Sequence, residues 1–177
     1  GESWQISDWG GAQDWLEIDP SSGTGNKTLT FRAKTTNPSY TDNHRIATIK
    51  VTFGGNFEKP ITVTQNQKTA PTLPSNVTLG YRSGVSTTGY LTSVADSWEV
   101  IDINWQGATS EWFTLSPKNA AANSSRQPIS FTTTEENPNY SSREATVTVR
   151  FGSDYTKTFT VKQNKKPTPI SVSGGTG

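Results

Sequence analysis

The sequence predicts an all-β protein, two antiparallel β-sandwich domains in tandem, with the first lacking its opening strands. Three observations carry this. Four blocks of sequence recur in the same order about a hundred residues apart. Within each block the apolar residues alternate with period two, and no stretch shows the 3.6-residue period of an amphipathic helix.

The repeat is read first because it sets the domain count. WLEIDP at 15–20 answers to WFTLSP at 112–117, and NPSY at 37–40 to NPNY at 137–140. RIATIKVTFG at 45–54 matches REATVTVRFG at 143–152, and ITVTQN at 61–66 matches FTVKQN at 159–164. The offset is 97 at Trp15/Trp112, 100 at Tyr40/Tyr140 and 98 from Arg45/Arg143 through Gln65/Gln163. Length changes are thus confined to loops, as a shared fold permits.

Each block reads as strand. Ala47, Ile49, Val51 and Phe53 share one face, opposite Thr48, Lys50 and Thr52; Ala145, Val147, Val149 and Phe151 repeat the arrangement. Leu29, Phe31 and Ala33 are expected inward, matched by Ile129 and Phe131, as are Ile61 and Val63, matched by Phe159 and Val161. Gln65 and Gln163 share that inward face and are expected to tie strand ends together, since a buried amide must be hydrogen-bonded. One-sided alternation rich in Val, Ile, Thr and Phe marks antiparallel strands with one wet face. Turn clusters such as 21–26 and 54–56 separate them, which fits a sandwich with Greek-key connections.

The domains are expected at 1–67 and 76–165, joined by a stiff linker at 68–75 in which Pro71 and Pro74 cannot donate ladder bonds. Trp4-Gln5-Ile6 matches Trp98-Glu99-Val100. Upstream of Trp98 lie two strand-like stretches, Val77–Tyr81 and Tyr90–Val94, whereas three residues precede Trp4. The first domain is therefore expected to leave backbone groups unpaired along a sheet edge. Residues 166–177 read as linker and the start of a further repeat, and Pro169–Ser173 is expected to add to that edge by strand exchange between chains. With no Met in 177 residues, the chain reads as an excerpt of a longer polypeptide with flanking domains.

Composition removes several function classes. Sixteen Lys and Arg against fifteen Asp and Glu, with no basic stripe, give no footprint for nucleic acid. The absence of Cys excludes a disulfide framework, a thiolate metal site and a cysteine nucleophile. No apolar run approaches the roughly 20 residues that insertion in a membrane requires. The single histidine, His44, stands in a loop with no counterpart in the other repeat. The carboxylates at Asp8, Asp14, Glu17, Asp19, Glu135 and Glu136 follow no pattern that sets two of them across a glycosidic bond, and no calcium-loop spacing occurs. The expectation is a protein that is not an enzyme, with no catalytic residue, no metal and no cofactor.

A Trp-x-Ile/Val strand, a second Trp-aliphatic strand, an Asn-containing loop, an Arg-led strand and a terminal Val-x-Gln strand follow one another in both repeats. That order resembles the BACON domain, the Bacteroidetes-associated carbohydrate-binding, often N-terminal module. The resemblance covers both repeats; it departs at the truncated start of the first and at the glycine-free loop 118–127. It implies an immunoglobulin-like sandwich in secreted or cell-surface proteins of Bacteroidetes, or in their phages, with glycans or mucin as ligands. A structural spacer between partner domains and a protein-adhesion module are the alternatives, because a fold does not fix a function.

Candidate glycan-stacking residues are aromatic. Trp4, Trp98, Trp15 and Trp112 head aliphatic strands and are expected in the cores. Trp9 and Trp105 stand in loops beside glycine, where an indole either stacks on a pyranose or folds over the sandwich edge. Tyr40 and Tyr140 in the Asn-Pro-x-Tyr loops complete the candidate set, against a tyrosine-corner reading in which the ring packs.

Overall fold

The computed structural model describes residues 1–41, 43–108, 110–123 and 125–170, and every regular element among them is a β-strand. The chain forms two compact units, Gly1–Thr69 and Ala70–Gly177. The first unit holds β1 (Ser3–Asp8), β2 (Leu16–Asp19), β3 (Ser22–Thr24), β4 (Thr30–Ala33), β5 (Arg45–Phe53) and β6 (Phe57–Gln65). One sheet runs in the order β3-β1-β5-β6 and the other is the pair β2-β4. Leu16 and Ile18 of β2 meet Ala47 and Ile49 of β5, with Ala12, to form the buried core between them.

The second unit holds β7 (Val77–Leu79), β8 (Ser86–Leu91), β9 (Trp98–Asn104), β10 (Phe113–Ser116), β11 (Asn119–Ala120), β12 (Gln127–Thr133), β13 (Arg143–Phe151) and β14 (Tyr155–Gln163). Its sheets run β11-β9-β13-β14-β7 and β10-β12-β8. A run of aromatic contacts, Trp112–Phe113 at 4.7 Å, Phe113–Phe131 at 6.2 Å and Phe131–Phe159 at 5.9 Å between centroids, fills the core. Each such ring taken from water contributes about 1.5–3 kcal/mol.

The all-β reading holds. β1 to β6 stand where β9 to β14 stand in the repeat, and β5–β6 pairs over Arg45↔Gln65 to Phe53↔Phe57 in the same register as β13–β14 from Arg143↔Gln163 to Phe151↔Tyr155. β7 and β8 have no counterpart among the described strands of the first unit. They occupy the outer edges of the two sheets of the second, β7 parallel to β14 and β8 antiparallel to β12.

Four expectations change. The opening strands are Val77–Leu79 and Ser86–Leu91, so the second starts four residues earlier than its apolar end suggested. Residues 70–75 are not a free linker: Pro71 and Pro74 are buried, Thr72 pairs with Thr92, and Lys157 Nζ donates to the Pro71 carbonyl. Trp15 is half-buried, unlike fully buried Trp112. Phe31 is 39% exposed where Phe131 has no exposed surface, and all of β4 lies exposed, because no strand among the described residues covers it as β8 covers β12. The strand-exchange segment lies in part, at 171–173, outside the described residues; Ile170 is 90% exposed.

Candidate functional site

The two loop tryptophans sit in turns of the same kind, one in each unit. Asp8 Oδ1 accepts the Gly10 amide at 2.8 Å, and Asn104 Oδ1 accepts the Gln106 amide at 3.0 Å. Such a side-chain bond two residues on is what Asp and Asn offer a chain that must reverse. The turn then closes by backbone bonds from Ala12 to Trp9 and from Ala108 to Trp105. Positive φ falls on Gly10 and Gly11 in one unit and on Gln106 and Gly107 in the other. Gln106 bears the less favoured left-handed conformation, with its side chain donating to Thr146 Oγ1 at 2.9 Å.

Both indoles are half-buried. Trp9 packs on the core cluster of the first unit. Trp105 stands 4.9 Å from Phe113 and 5.9 Å, edge-on, from Trp112, so the core fixes its plane. The ring is thus part of the sandwich edge and partly open at the surface.

In the second unit the Trp105 turn faces the loop between β12 and β13 across a cleft of about 700 Å³. Trp105, Ser110, Glu135, Glu136, Asn139 and Arg143 are among its lining. Ser110 Oγ donates to Glu135 Oε2 at 2.7 Å, and the Arg143 guanidinium lies 3.9 Å from the same oxygen. Arg143 Nε donates to Gln163 Oε1 at 2.7 Å, and the guanidinium sits over Trp112 at 5.0 Å. Burial pulls the Arg143 guanidinium below its ordinary pKa, and the Glu135 carboxylate opposes that shift. Glu136 has an ion pair with Lys166 at 3.5 Å.

One residue type holds both loops, and the sequence reading passed over it. Asn137 is fully buried; its Nδ2 donates to the carbonyls of Ser141 and Asn164, both at 3.0 Å, and its Oδ1 accepts the Asn139 amide. Asn37 does the same with Asn43, Gln65 and Ser39. The Asn-Pro dipeptide was the available signal, marking a turn that needs a side-chain acceptor. Gln163 is buried and fulfils its expected bracing role, donating to the carbonyls of Tyr81 and Glu135.

The two tyrosines part company. Tyr40 is 9% exposed with Lys68 Nζ 5.2 Å from its ring centroid, so its face is covered and a stacking role fails on access. Tyr140 is 52% exposed, and it is not among the residues lining the Trp105 cleft. The first unit also carries Thr35 and Thr36 where the second has Glu135 and Glu136, and Arg45 bonds Thr35 Oγ1 there. Among the described residues no group of three or more acidic or histidine side chains could hold a metal ion, and no helix is long and apolar enough to cross a membrane.

The chain matches none of the curated proteins compared with it. Among solved structures, a Bacteroides ovatus GH5 xyloglucanase in complex with a XXXG heptasaccharide aligns at 21% identity and a TM-score of 0.42. That alignment covers 58% of this chain and 20% of the enzyme, so this chain spans about a fifth of its length. Domains 4 and 5 of the S-layer protein SbsC align at 17% identity and a TM-score of 0.41, over 90% of this chain and 98% of theirs. The model of one family, BACON, described as "Putative binding domain, N-terminal", matches residues 2–66 and 98–164. Those spans take in the strands from β1 to β6 and from β9 to β14, and the chain belongs to the BACON family.

Proposed function

We propose that the chain is a non-catalytic glycan-binding module of a secreted or cell-surface protein, and that its site is the Trp105 cleft of the second unit. The observation that carries this reading is a rigidly backed indole beside several hydrogen-bonding side chains in one concave site. A sugar ring presents an apolar face and a rim of hydroxyls. The indole suits the first, and carboxylate, amide and guanidinium groups suit the second. Because Phe113 and Trp112 already hold Trp105, little side-chain freedom is lost on binding. Trp9 offers the first unit a weaker platform, since Thr35 and Thr36 replace the two carboxylates.

Titration calorimetry against plant and host oligosaccharides tests the reading. Saturable binding is expected, falling at least about tenfold for Trp105→Ala and changing little for Trp9→Ala. Absence of binding across the panel leaves the spacer.

A further inference from the structure

The repeat provides an internal control for the first unit. In the second, β8 pairs with β12 from Gln127↔Leu91 to Thr132↔Ser86, and β7 runs parallel to β14 from Val161↔Val77 to Gln163↔Leu79. Val77, Leu79 and Leu91 are buried there, and so are Phe131, Phe159 and Val161 on the strands they join. In the first unit β4 and β6 end their sheets. Phe31 is exposed and Ile61 and Val63 are half-buried, at the positions that Phe131, Phe159 and Val161 hold in the repeat. Beside these edges runs a groove of about 370 Å³ whose lining includes Trp4, Leu29, Val51, Phe53, Pro60 and Ile61. β6 contributes Lys59, Pro60 and Ile61 to it, Leu29 lies one residue ahead of β4, and β4 and β6 each end a sheet, where an extended chain can pair.

The backbone also shows from which end the groove is entered. The Gly54 amide donates to the Ser3 carbonyl as the Gly152 amide donates to that of Ser97. The Glu2 carboxylate lies against Gly54 as that of Asp96 lies against Gly152. Glu2–Ser3 therefore follows the path of Asp96–Ser97, the residues through which the chain leaves β8 for β9 in the second unit.

We propose that this groove accepts an extended polypeptide segment continuous with Gly1, patterned on residues 72–91 with aliphatic side chains where Val77, Leu79 and Leu91 stand, antiparallel on β4 and parallel on β6. Main-chain bonds to both edges supply the affinity, and pockets for every second side chain supply the selectivity. The segment carries a small residue opposite Leu29. Gly89 occupies that register opposite Ile129, and a Cβ added to it would stand 2.7 Å from Pro74 and 3.1 Å from Phe131.

The test joins a copy of residues 70–94 directly to Gly1 of the full chain, Gly1 standing where Ala95 stands in the repeat. Amide exchange is then followed over Thr30–Ala33 and Phe57–Gln65, with β12 and β14 reporting that the second unit is folded. Exchange on β4 and β6 should slow roughly tenfold or more. It should return to its original rate when Val77→Asp and Leu91→Asp are placed in the appended copy. Unchanged exchange in the fused chain overturns the proposal. So does light scattering that shows the unfused chain as a dimer which dissociates when residues 168–177 are deleted, since a second copy's tail is then the occupant.

Discussion

Asn137 has three side-chain bonds and no exposed surface, and all three hold backbone that would otherwise be irregular and unpaired. Replacing it with alanine strands the carbonyls of Ser141 and Asn164 and the amide of Asn139. Asn137→Ala should destabilise the second unit by about 2–4 kcal/mol in urea denaturation, since a buried polar group left unpaired costs about 1–3 kcal/mol. Asn137→Asp should be about as harmful, because a carboxylate cannot donate to either carbonyl. The same changes release the loop bearing Glu135 and Glu136, so they should also weaken any ligand held in the cleft. The sequence drew the eye to the tyrosines of these loops instead. Its pattern displays a Pro and a Tyr locally, whereas the burial of Asn137 depends on Asn164, 27 residues away. The tryptophans show the contrast. Trp4 and Trp98 could be placed from strand alternation, and both are buried. The half-burial of Trp105 depends on Phe113 and Trp112, which the chain brings back from the next strand.

At the scale of strands, Phe31 and Phe131 occupy matching positions on β4 and β12 and meet different fates. Phe131→Ala should cost about 3–5 kcal/mol, the usual range for removing a buried ring. Phe31→Ala should cost about 1 kcal/mol or less, because water already reaches the ring. Equal losses in thermal unfolding of the two variants would mean that β4 is covered in solution. The alternation that identified both strands is a property of the strands alone, so it was legible. Whether an inward face is covered depends on a neighbouring strand, and β8, STTGYL, announces itself weakly, with its large apolar residues at Tyr90 and Leu91 only. The same weakness hid its first four residues. Residues 70–75 were misjudged for a related reason. Two prolines signal extended chain, and extended chain can pack against a sheet as readily as it can bridge two domains; Pro74 lies against Gly89.

At the scale of the chain, two cores built from separate residues are expected to unfold as two units, each cooperative by itself. Denaturation followed by tryptophan fluorescence should show two transitions, the first unit melting at lower denaturant because its β4 and β6 faces remain uncovered. Trypsin under native conditions should cut after Lys68, ahead of exposed Thr69. A single transition, or a first cut inside β5 or β13, would count against independent units. Two units also allow one to keep a binding cleft while the other serves as support. Glu135 and Glu136 stand in one, Thr35 and Thr36 in the other.

The parallel pairing of β7 with β14 has a mechanical consequence. β7 is the first strand of the second unit and β14 its last, so tension applied through the two ends of the unit pulls these neighbours past each other. The bonds across Val77, Thr78 and Leu79 are then loaded together in shear, rather than opened one after another like a zip. Among the described residues, no strand lies on the outer side of β6 in the first unit to take such a load. Stretched as a single molecule, the second unit should rupture at the higher force. Removing an amide that faces β14, by Leu79→Pro, should bring that force down.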